Sequence, residues 1–333
     1  YEPEPGAHDL DESDFKARPN PKGNKPRTKI RPDHSGASLG MLIGIDKNRY
    51  QVLLQEGNYQ VNATLAKELR NNGPAVGDVV SLAGDTSSDE GALSRIVRIE
   101  PRTTLLRRSA DDSDQVERVI VANATQLMIV IAAANPEPRT RLVDRYLAAA
   151  YDAGLKPIIC VTKTDLADPS EFLKNFQGLS IPIIRTRSDS FQLSEIADLL
   201  AGETTVLVGH SGVGKSTLVN ALSPDANRAV GVVNAVTGRG RQTSTSVRAL
   251  ALEDGWIIDT PGIRSFGLGH IDPKNLLRSF EDLWETIRSC PRGCTHLVDS
   301  PDCALDEAVA SGVLGPQGAS RVDSLRRLMT SLS

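Results

Sequence analysis

Residues 209–216 read Gly209-His210-Ser211-Gly212-Val213-Gly214-Lys215-Ser216, and this octapeptide decides how the middle of a 333-residue chain folds. It fits the pattern G-x-x-x-x-G-K-[ST], follows the apolar run Val206-Leu207-Val208 and precedes the helical stretch 217–222. A glycine-rich turn between a strand and a helix lets backbone N–H groups surround an anion at the positive end of the helix. The stretch therefore predicts a phosphate-binding loop, here called the phosphate loop, in an α/β sheet.

Two side chains of the phosphate loop carry the expected chemistry. Lys215 is placed to neutralise the β- and γ-phosphates of a nucleotide, and the Ser216 hydroxyl to ligate Mg²⁺. The other predicted nucleotide contacts are Gly209, His210, Ser211, Gly212, Val213, Gly214 and Thr217. A chance match to so short a pattern is the alternative, and the flanking strand and helix argue against it.

An acidic residue downstream predicts the magnesium side of the same site. Asp259-Thr260-Pro261-Gly262 follows the strand-like Trp256-Ile257-Ile258. Asp259 is expected to organise Mg²⁺, and the Gly262 N–H to contact the γ-phosphate. A DxxG pattern alone is common, and an ordinary Pro-Gly turn is the alternative.

The basic, hydroxyl-rich stretch 238–245, Gly-Arg-Gly-Arg-Gln-Thr-Ser-Thr, has the composition of a switch loop. Such a loop closes on Mg²⁺ and then releases it. Thr243 or Thr245 is expected to supply the switch hydroxyl, and Thr243 is taken as the magnesium ligand. A disordered linker is the alternative.

A second motif, Thr162-Lys163-Thr164-Asp165, precedes the phosphate loop along the chain and is here called the base box. It resembles a guanine-reading TKxD sequence. Asp165 would accept hydrogen bonds from the guanine N1–H and exocyclic amine, a donor pair that adenine lacks. Lys163 would lay its aliphatic stem over the base. For the base box itself a plain surface loop is the alternative. Thr186, after the next strand, falls where a second base-contacting loop is expected. In ordinary GTPases the phosphate loop comes first along the chain and the base box comes last.

The remaining pattern divides the chain. Residues 36–110 contain five short β-rich runs separated by turn signals, which indicates a small barrel of OB type, with an SH3-like barrel as the alternative. Residues 111–270 alternate apolar runs with amphipathic helices, as a parallel sheet requires. Five arginines are candidates for a phosphate-binding face of the barrel, a solvated surface being the alternative: Arg95, Arg98, Arg102, Arg107 and Arg108.

Residues 271–333 are expected to be helical and to bind a metal. Cys290-x₃-Cys294-x-His296-x₆-Cys303 supplies three thiolates and one imidazole, a set suited to one structural zinc. Buried cysteines beside an incidental histidine are the alternative. The amphipathic segment 322–332 ends the chain, and we expect Arg321, Arg326 and Arg327 on its polar side.

Composition and charge indicate the nature of the N-terminal residues and the compartment of the protein. Residues 1–35 are acidic at first and then basic, and they lack apolar periodicity, which predicts a disordered tail. The basic half is a candidate RNA-contacting arm, and a solvated tail without a partner is the alternative. The net charge of −4 says little. No stretch approaches the length of a membrane span, and the cysteine usage suggests a reducing cytoplasm.

The motif order, the barrel before it and the cysteine cluster behind it resemble the circularly permuted, ribosome small-subunit-dependent GTPases (RsgA, also called YjeQ). The most specific features are GHSGVGKST at 209–217, GRGRQTST at 238–245, DTPGIRSFGL at 259–268 and the Cys/His group; Asn123, Gln126 and 144–147 also look like family positions. The resemblance implies hydrolysis of GTP to GDP and phosphate, stimulated by the small ribosomal subunit during late maturation. It also implies an rRNA-contacting barrel, Mg²⁺, a zinc domain and cytoplasmic location. We further expect a monomer that works alongside other maturation factors.

The sequence departs from the family pattern at three places. Thr162 stands in place of Asn, Gln242 in place of a His considered catalytic, and Arg185-Thr186 in place of Ser-Ser. Ile263 follows the DxxG glycine, where Ras-type enzymes carry a water-positioning Gln. We therefore expect slow intrinsic hydrolysis of GTP. The ribosome or Gln242 is expected to orient the attacking water. A non-catalytic RNA-binding factor and an ATP-using enzyme are the alternatives.

Overall fold

The structure is a computed structural model that describes residues 36–47, 49–87, 93–108, 118–187, 189–190, 192–223, 247–261 and 271–332. The predicted tail, the switch loop with Gln242, Thr243 and Thr245, and Gly262 with Ile263 lie outside the described residues.

Five strands near the N-terminal end of the described chain close into a barrel. They are β1 (Ser38–Asp46), β2 (Arg49–Leu54), β3 (Gln60–Leu65), β4 (Val79–Gly84) and β5 (Ser94–Ile99). Strand β1 pairs with β2, β2 with β3, β3 with β5, β5 with β4, and β4 with β1, so the sheet returns to its first strand. Alternate residues such as Leu42, Val52 and Ile96 fill the interior. The prediction of an OB-type barrel of five short strands is confirmed.

The barrel joins the rest of the sheet through a bulge in β1. The register with β2 shifts between Leu42 and Gly44, and Gly44 then pairs with Arg248 of β12 (Arg248–Ala251). A bulge bends a strand. On its other edge β1 pairs with β4 as far as Met41 and with β12 at Gly44, while it keeps its pairing with β2. A second contact lies at Gly77, where an added Cβ would stand 2.1 Å from the Ala122 carbonyl oxygen. The Ala122 N–H donates to the Val76 carbonyl at 3.0 Å, and the Asn123 side-chain amide donates to the Gly77 carbonyl at 3.0 Å, so the two backbones are in direct contact here.

The central sheet has five parallel strands and the antiparallel β12 at one end. Its order is β10 (Ile183–Arg185), β9 (Lys156–Thr162), β8 (Gln126–Ala132), β11 (Thr204–Val208), β13 (Trp256–Asp259) and β12. A short hairpin, β6 (Leu105–Arg108) with β7 (Arg118–Ala122), precedes it. Every residue of β8 is buried, because both faces of the sheet are covered. The predicted parallel α/β core is confirmed.

Helices cover both faces and form the C-terminal region. They are α1 (Thr140–Asp152), α2 (Ser170–Leu173), α3 (Leu193–Leu200), α4 (Lys215–Leu222), α5 (Pro273–Arg278), α6 (Glu281–Arg288), α7 (Ala304–Ala310) and α8 (Gly318–Thr330), with 3₁₀ turns at Lys67–Asn72 and Lys174–Leu179. Asn275 of α5 donates to Asp152 of α1 at 2.9 Å, which ties the C-terminal helices to the central domain. Among the described residues no helix is both long and apolar enough to cross a bilayer.

The expectation that Arg321, Arg326 and Arg327 lie on the polar side of the last helix is wrong. Arg327 of α8 donates from Nε to both oxygens of Asp144 at 3.1 and 3.0 Å, and Asp144 is 1% exposed. Arg321 binds the Asp282 carboxylate and the Gly178 carbonyl. Each guanidinium is paired, and a paired guanidinium can be covered by neighbouring helices. The arginines of α8 therefore pack the helix inward.

Burial of Asp144 has an electrostatic cost that its partner only partly offsets. Desolvation raises the pKa of the Asp144 carboxyl, and the Arg327 guanidinium opposes that rise. The same guanidinium stacks over the Phe176 ring at 5.2 Å. Arg327 thus contacts both α1 and the Lys174–Leu179 turn from the last helix.

Candidate functional site

The predicted nucleotide residues converge on one edge of the central sheet. Strands β8, β9, β10, β11 and β13 run parallel, so their carboxyl ends lie at the same edge. The base box begins at the end of β9, Thr186 follows β10, the phosphate loop follows β11, and Asp259 ends β13. Ligands of open α/β sheets bind at this edge. The inverted order along the chain therefore leaves the spatial arrangement of one site intact.

Steric crowding explains the first glycine of the phosphate loop. Gly209 has φ +152°, and an added Cβ would stand 2.3 Å from the Val130 carbonyl oxygen. Gly214 adopts a left-handed φ of +95° at the start of α4. Lys215 Nζ donates to the Gly209 carbonyl at 2.7 Å, so the lysine folds back over the loop. Ser211, Ser216, Thr217 and His210 are exposed around it.

Lys215 and Asp259 form the charged centre of the site. Burial lowers the pKa of the Lys215 ammonium, and the Asp259 charge opposes that change. Burial likewise raises the pKa of the Asp259 carboxyl against the opposing effect of Lys215. Asp259 Oδ1 is buried and has no hydrogen-bond partner among the described residues. A buried carboxylate oxygen without a donor fits a place beside a hydrated divalent cation.

The base box contacts the phosphate loop directly. Thr162 Oγ1 donates to the Val213 carbonyl at 2.5 Å, and Lys163 Nζ to the Gly212 carbonyl at 2.8 Å. Lys163 Nζ also donates to the Asn135 carbonyl. The first two contacts span about fifty positions of sequence.

The second base-contacting loop is fixed to the base box. Thr164 donates to the Thr186 carbonyl from its backbone N–H at 3.1 Å and from its hydroxyl at 3.0 Å. Thr186 is 1% exposed, whereas Asp165 is exposed at the sheet edge. The Asp165 carboxylate, which is expected to read the base, is therefore accessible. Thr186 is buried and supports the base box through its carbonyl.

The four predicted zinc ligands form one cluster. The candidate ligand atoms of Cys290, Cys294, His296 and Cys303 all lie within 4.8 Å of one another. Tetrahedral bonds of about 2.3 Å to zinc would place sulfur atoms about 3.8 Å apart, so the cluster is close to the required size. Burial is the largest influence on the Cys290 thiol and raises its pKa to about 11. A thiol with so high a pKa needs a cation to become a thiolate near neutral pH.

Two residues that support this cluster were missed in the sequence. Ser300 Oγ lies 3.1 Å from Cys294 Sγ, and Arg326 Nε donates to the His296 carbonyl at 3.0 Å. Arg326 also binds the Asp306 carboxylate with two bonds of 2.8 Å. Ser300 could have been predicted, because it is a polar residue between two of the expected ligands, His296 and Cys303. Nothing in the sequence indicated that Arg326 contacts this cluster.

One of the barrel arginines proposed for phosphate contact is not available. Arg102 binds Asp78 through two bonds of 2.7 Å, and Asp78 is fully buried. Arg95 and Arg107 remain exposed, and Arg98 is exposed beside Glu100. The candidate surface of the barrel is therefore smaller than expected.

Comparison with known proteins identifies the family. A family model described as RsgA GTPase matches residues 99–269. The chain belongs to the RsgA GTPase family. A Pseudomonas aeruginosa protein named small ribosomal subunit biogenesis GTPase RsgA is 36% identical over 294 residues, 85% of this chain and 82% of its own length. A Haemophilus influenzae protein of the same name is 36% identical over 267 residues, 78% and 75% of the two chains.

Solved structures agree with that assignment. YjeQ from Thermotoga maritima superposes with a TM-score of 0.65 and 25% identity, covering 89% of this chain and 98% of its own. YloQ, described as a circularly permuted GTPase, gives a TM-score of 0.63 and 27% identity over 90% and 96% of the two chains. This RsgA-family protein is thus a GTP-hydrolysing enzyme with a permuted core, and GTP, GDP and Mg²⁺ are the ligands that such a GTPase uses.

Proposed function

We propose that this protein hydrolyses GTP to GDP and phosphate while bound to the small ribosomal subunit, in late maturation, with the barrel contacting rRNA. The observation that carries the proposal is the joining of the base box to the phosphate loop at one sheet edge. The names of the relatives support the ribosomal partner. We further propose a cytoplasmic monomer that acts alongside other maturation factors, with the predicted division at 36–110, 111–270 and 271–333.

The roles that we assign to the site residues are supported by the positions of the described ones and by the sequence motifs of the others. Backbone N–H groups of 209–217 would surround the phosphates, and Lys215 would neutralise the charge that develops on them. Ser216, Asp259 and Thr243 would hold Mg²⁺, which neutralises phosphate charge when bound. Gly262 would contact the γ-phosphate, and Gln242 would orient water. Asp165, Lys163, Thr164 and Thr186 would form the guanine end, and Cys290, Cys294, His296 and Cys303 would hold one structural zinc.

Turnover should depend on the ribosomal subunit. Ile263 has no hydrogen-bonding group to orient water, so we expect slow phosphate release alone and at least about tenfold stimulation by purified small subunits. The measurement is multiple-turnover phosphate release from GTP with and without subunits. The alternative, a factor that only uses nucleotide to fix its conformation, predicts no release beyond one equivalent. Large subunits serve as the control.

Base recognition should depend on Asp165. Replacing it with asparagine exchanges an acceptor pair for an amide that can donate to xanthine, so Asp165→Asn should lower GTP affinity at least about a hundredfold and favour xanthosine triphosphate. Equilibrium binding of both nucleotides measures the change. Asp168→Asn, at another exposed carboxylate three residues away, is the matched control. Unchanged GTP preference in Asp165→Asn would remove Asp165 from the base site and reopen the ATP alternative.

A further inference from the structure

The barrel strand β1 continues the nucleotide-binding sheet, and it does so in line with Asp259. Gly44 of β1 pairs with Arg248 of β12, and Arg248 pairs on its other side with Asp259 of β13. Gly44, Arg248 and Asp259 therefore form one row across three neighbouring strands, here called the barrel row. Paired strands lie about 4.8 Å apart, so the barrel backbone is about 10 Å from the Asp259 backbone. The barrel is thus connected by strand pairing to the carboxylate expected to organise Mg²⁺.

A second contact holds β1 two residues before this row. The Leu42 N–H donates to the Asp78 carbonyl, and the Gly77 N–H donates to the Leu42 carbonyl, both at 2.8 Å. The Asn123 side chain joins this turn to the chain that enters β8. Its amide donates to the Gly77 carbonyl at 3.0 Å, and its Oδ1 accepts from the Thr103 N–H at 2.8 Å. Asn123 therefore fixes the barrel turn against the central domain.

The turn is stiffened by an ion pair and packs into the central core. The fully buried Asp78 carboxylate accepts two bonds from Arg102 and one from the Ala75 N–H, each at 2.7 Å. A carboxylate with three such donors is held in one orientation. Val76 of the same turn is buried in the core cluster that contains Ile258 of β13. The turn and the barrel are therefore expected to move together, and to move β13 with them.

We propose that the barrel row transmits contact between the barrel and the small ribosomal subunit to Asp259 and so stimulates hydrolysis, with Asn123 as a positioning residue. Paired strands are displaced together, because a slip of one residue would turn every side chain to the other face of the sheet. A displacement of about 1 Å in a catalytic group changes a rate by about a hundredfold, so a small shift of β1 is sufficient. The proposal deepens the function proposed above and rests on it.

The variant Asn123→Asp tests the contact that holds the row. The aspartate keeps an acceptor for Thr103 but places a carboxylate oxygen against the Gly77 carbonyl, so the turn loses its donor. GTP turnover at saturating small subunits should fall about tenfold. Turnover without subunits, and the affinity for subunits, should each change less than about threefold. Asn62→Asp adds the same charge at an exposed position of β3, and as the matched control it should keep full stimulation.

A second variant removes the contact without adding charge. Asn123 has a φ of +56°, which glycine adopts readily, so Asn123→Gly should show the same loss of stimulation. A fold defect would instead lower turnover with and without subunits alike. Stimulation within threefold of the unaltered protein in both variants overturns the proposal, as does a loss of stimulation explained by weaker subunit binding.

Hydrogen exchange of the unaltered protein decides the matter if thermal unfolding shows that both variants are misfolded. Small subunits should then change the exchange of strand Arg248–Ala251, and unchanged exchange there overturns the proposal. The proposed function fails in a different way. If small subunits do not stimulate the unaltered protein at all, the ribosomal role is contradicted before any variant is compared.

Discussion

Replacing Lys215 with methionine is expected to lower GTP turnover by about a thousandfold or more, with subunits present or absent. Lys215 Nζ lies over the phosphate loop, 2.7 Å from the Gly209 carbonyl, and interacts electrostatically with the half-buried Asp259. Methionine keeps the length and apolar stem and removes only the charge. The half-buried ammonium is screened weakly by water, so its loss removes more stabilisation of developing phosphate charge than an exposed lysine would.

Turnover at saturating GTP, together with GTP affinity, separates the two ways in which Lys215 can act. A fall in the rate at saturation means that the charge is used in the transition state, whereas a change in affinity alone means that it holds the ground state. Lys174→Met is the matched control, because Lys174 is exposed and paired with Glu171 on the surface. A rate for Lys215→Met within tenfold of the unaltered protein would show that the phosphate loop is not the catalytic centre.

Much of the fold could be predicted because the strands of the central sheet have a uniformly apolar sequence. Strand Gln126–Ala132, helix Leu193–Leu200 and strand Thr204–Val208 show the alternation of apolar runs and helices that the sequence predicts for residues 111–270. The two strands are continuous apolar runs because both faces of the sheet are covered, so burial and sequence pattern coincide. The hairpin of β6 and β7 was missed, since its two strands are short and carry charged residues.

The site shows where sequence patterns stop being informative. Motifs located the base box, the phosphate loop and the Cys/His cluster, because each expected chemistry needs particular residues at close spacing. Partners distant in sequence were not predictable: Arg327 meets Asp144 across 183 positions, and Thr162 meets Val213 across 51. An amphipathic pattern predicts that each arginine of a helix faces solvent. Only the folded chain shows the buried carboxylate of Asp144 that pairs with Arg327.

Loss of the metal cluster is expected to unfold the C-terminal region. Replacing Cys303, which is 4% exposed, with serine removes a thiolate and leaves three ligands. Zinc affinity should fall by more than the 10–100-fold that loss of an outer partner typically costs. Because binding free energy of a structural zinc is folding free energy, the segment that contains 290–303 should lose its protection. Metal content per chain, and hydrogen exchange of 281–332, measure the two effects.

The expected extent of unfolding follows from how the cluster is connected. Arg326 joins the His296 carbonyl to Asp306, so loss of the cluster removes support from α7 and from the middle of α8. The contact of Arg327 with Asp144 lies on the same helix and should loosen with it. One face of the parallel sheet has a core that includes no residue of the C-terminal region, so the sheet should stay protected. Cys160→Ala, at a cysteine buried in β9, is the control and should keep full metal content. Full metal content in Cys303→Ser, or unfolding that spreads to β8 and β11, would contradict this assignment of the cluster as a local structural centre.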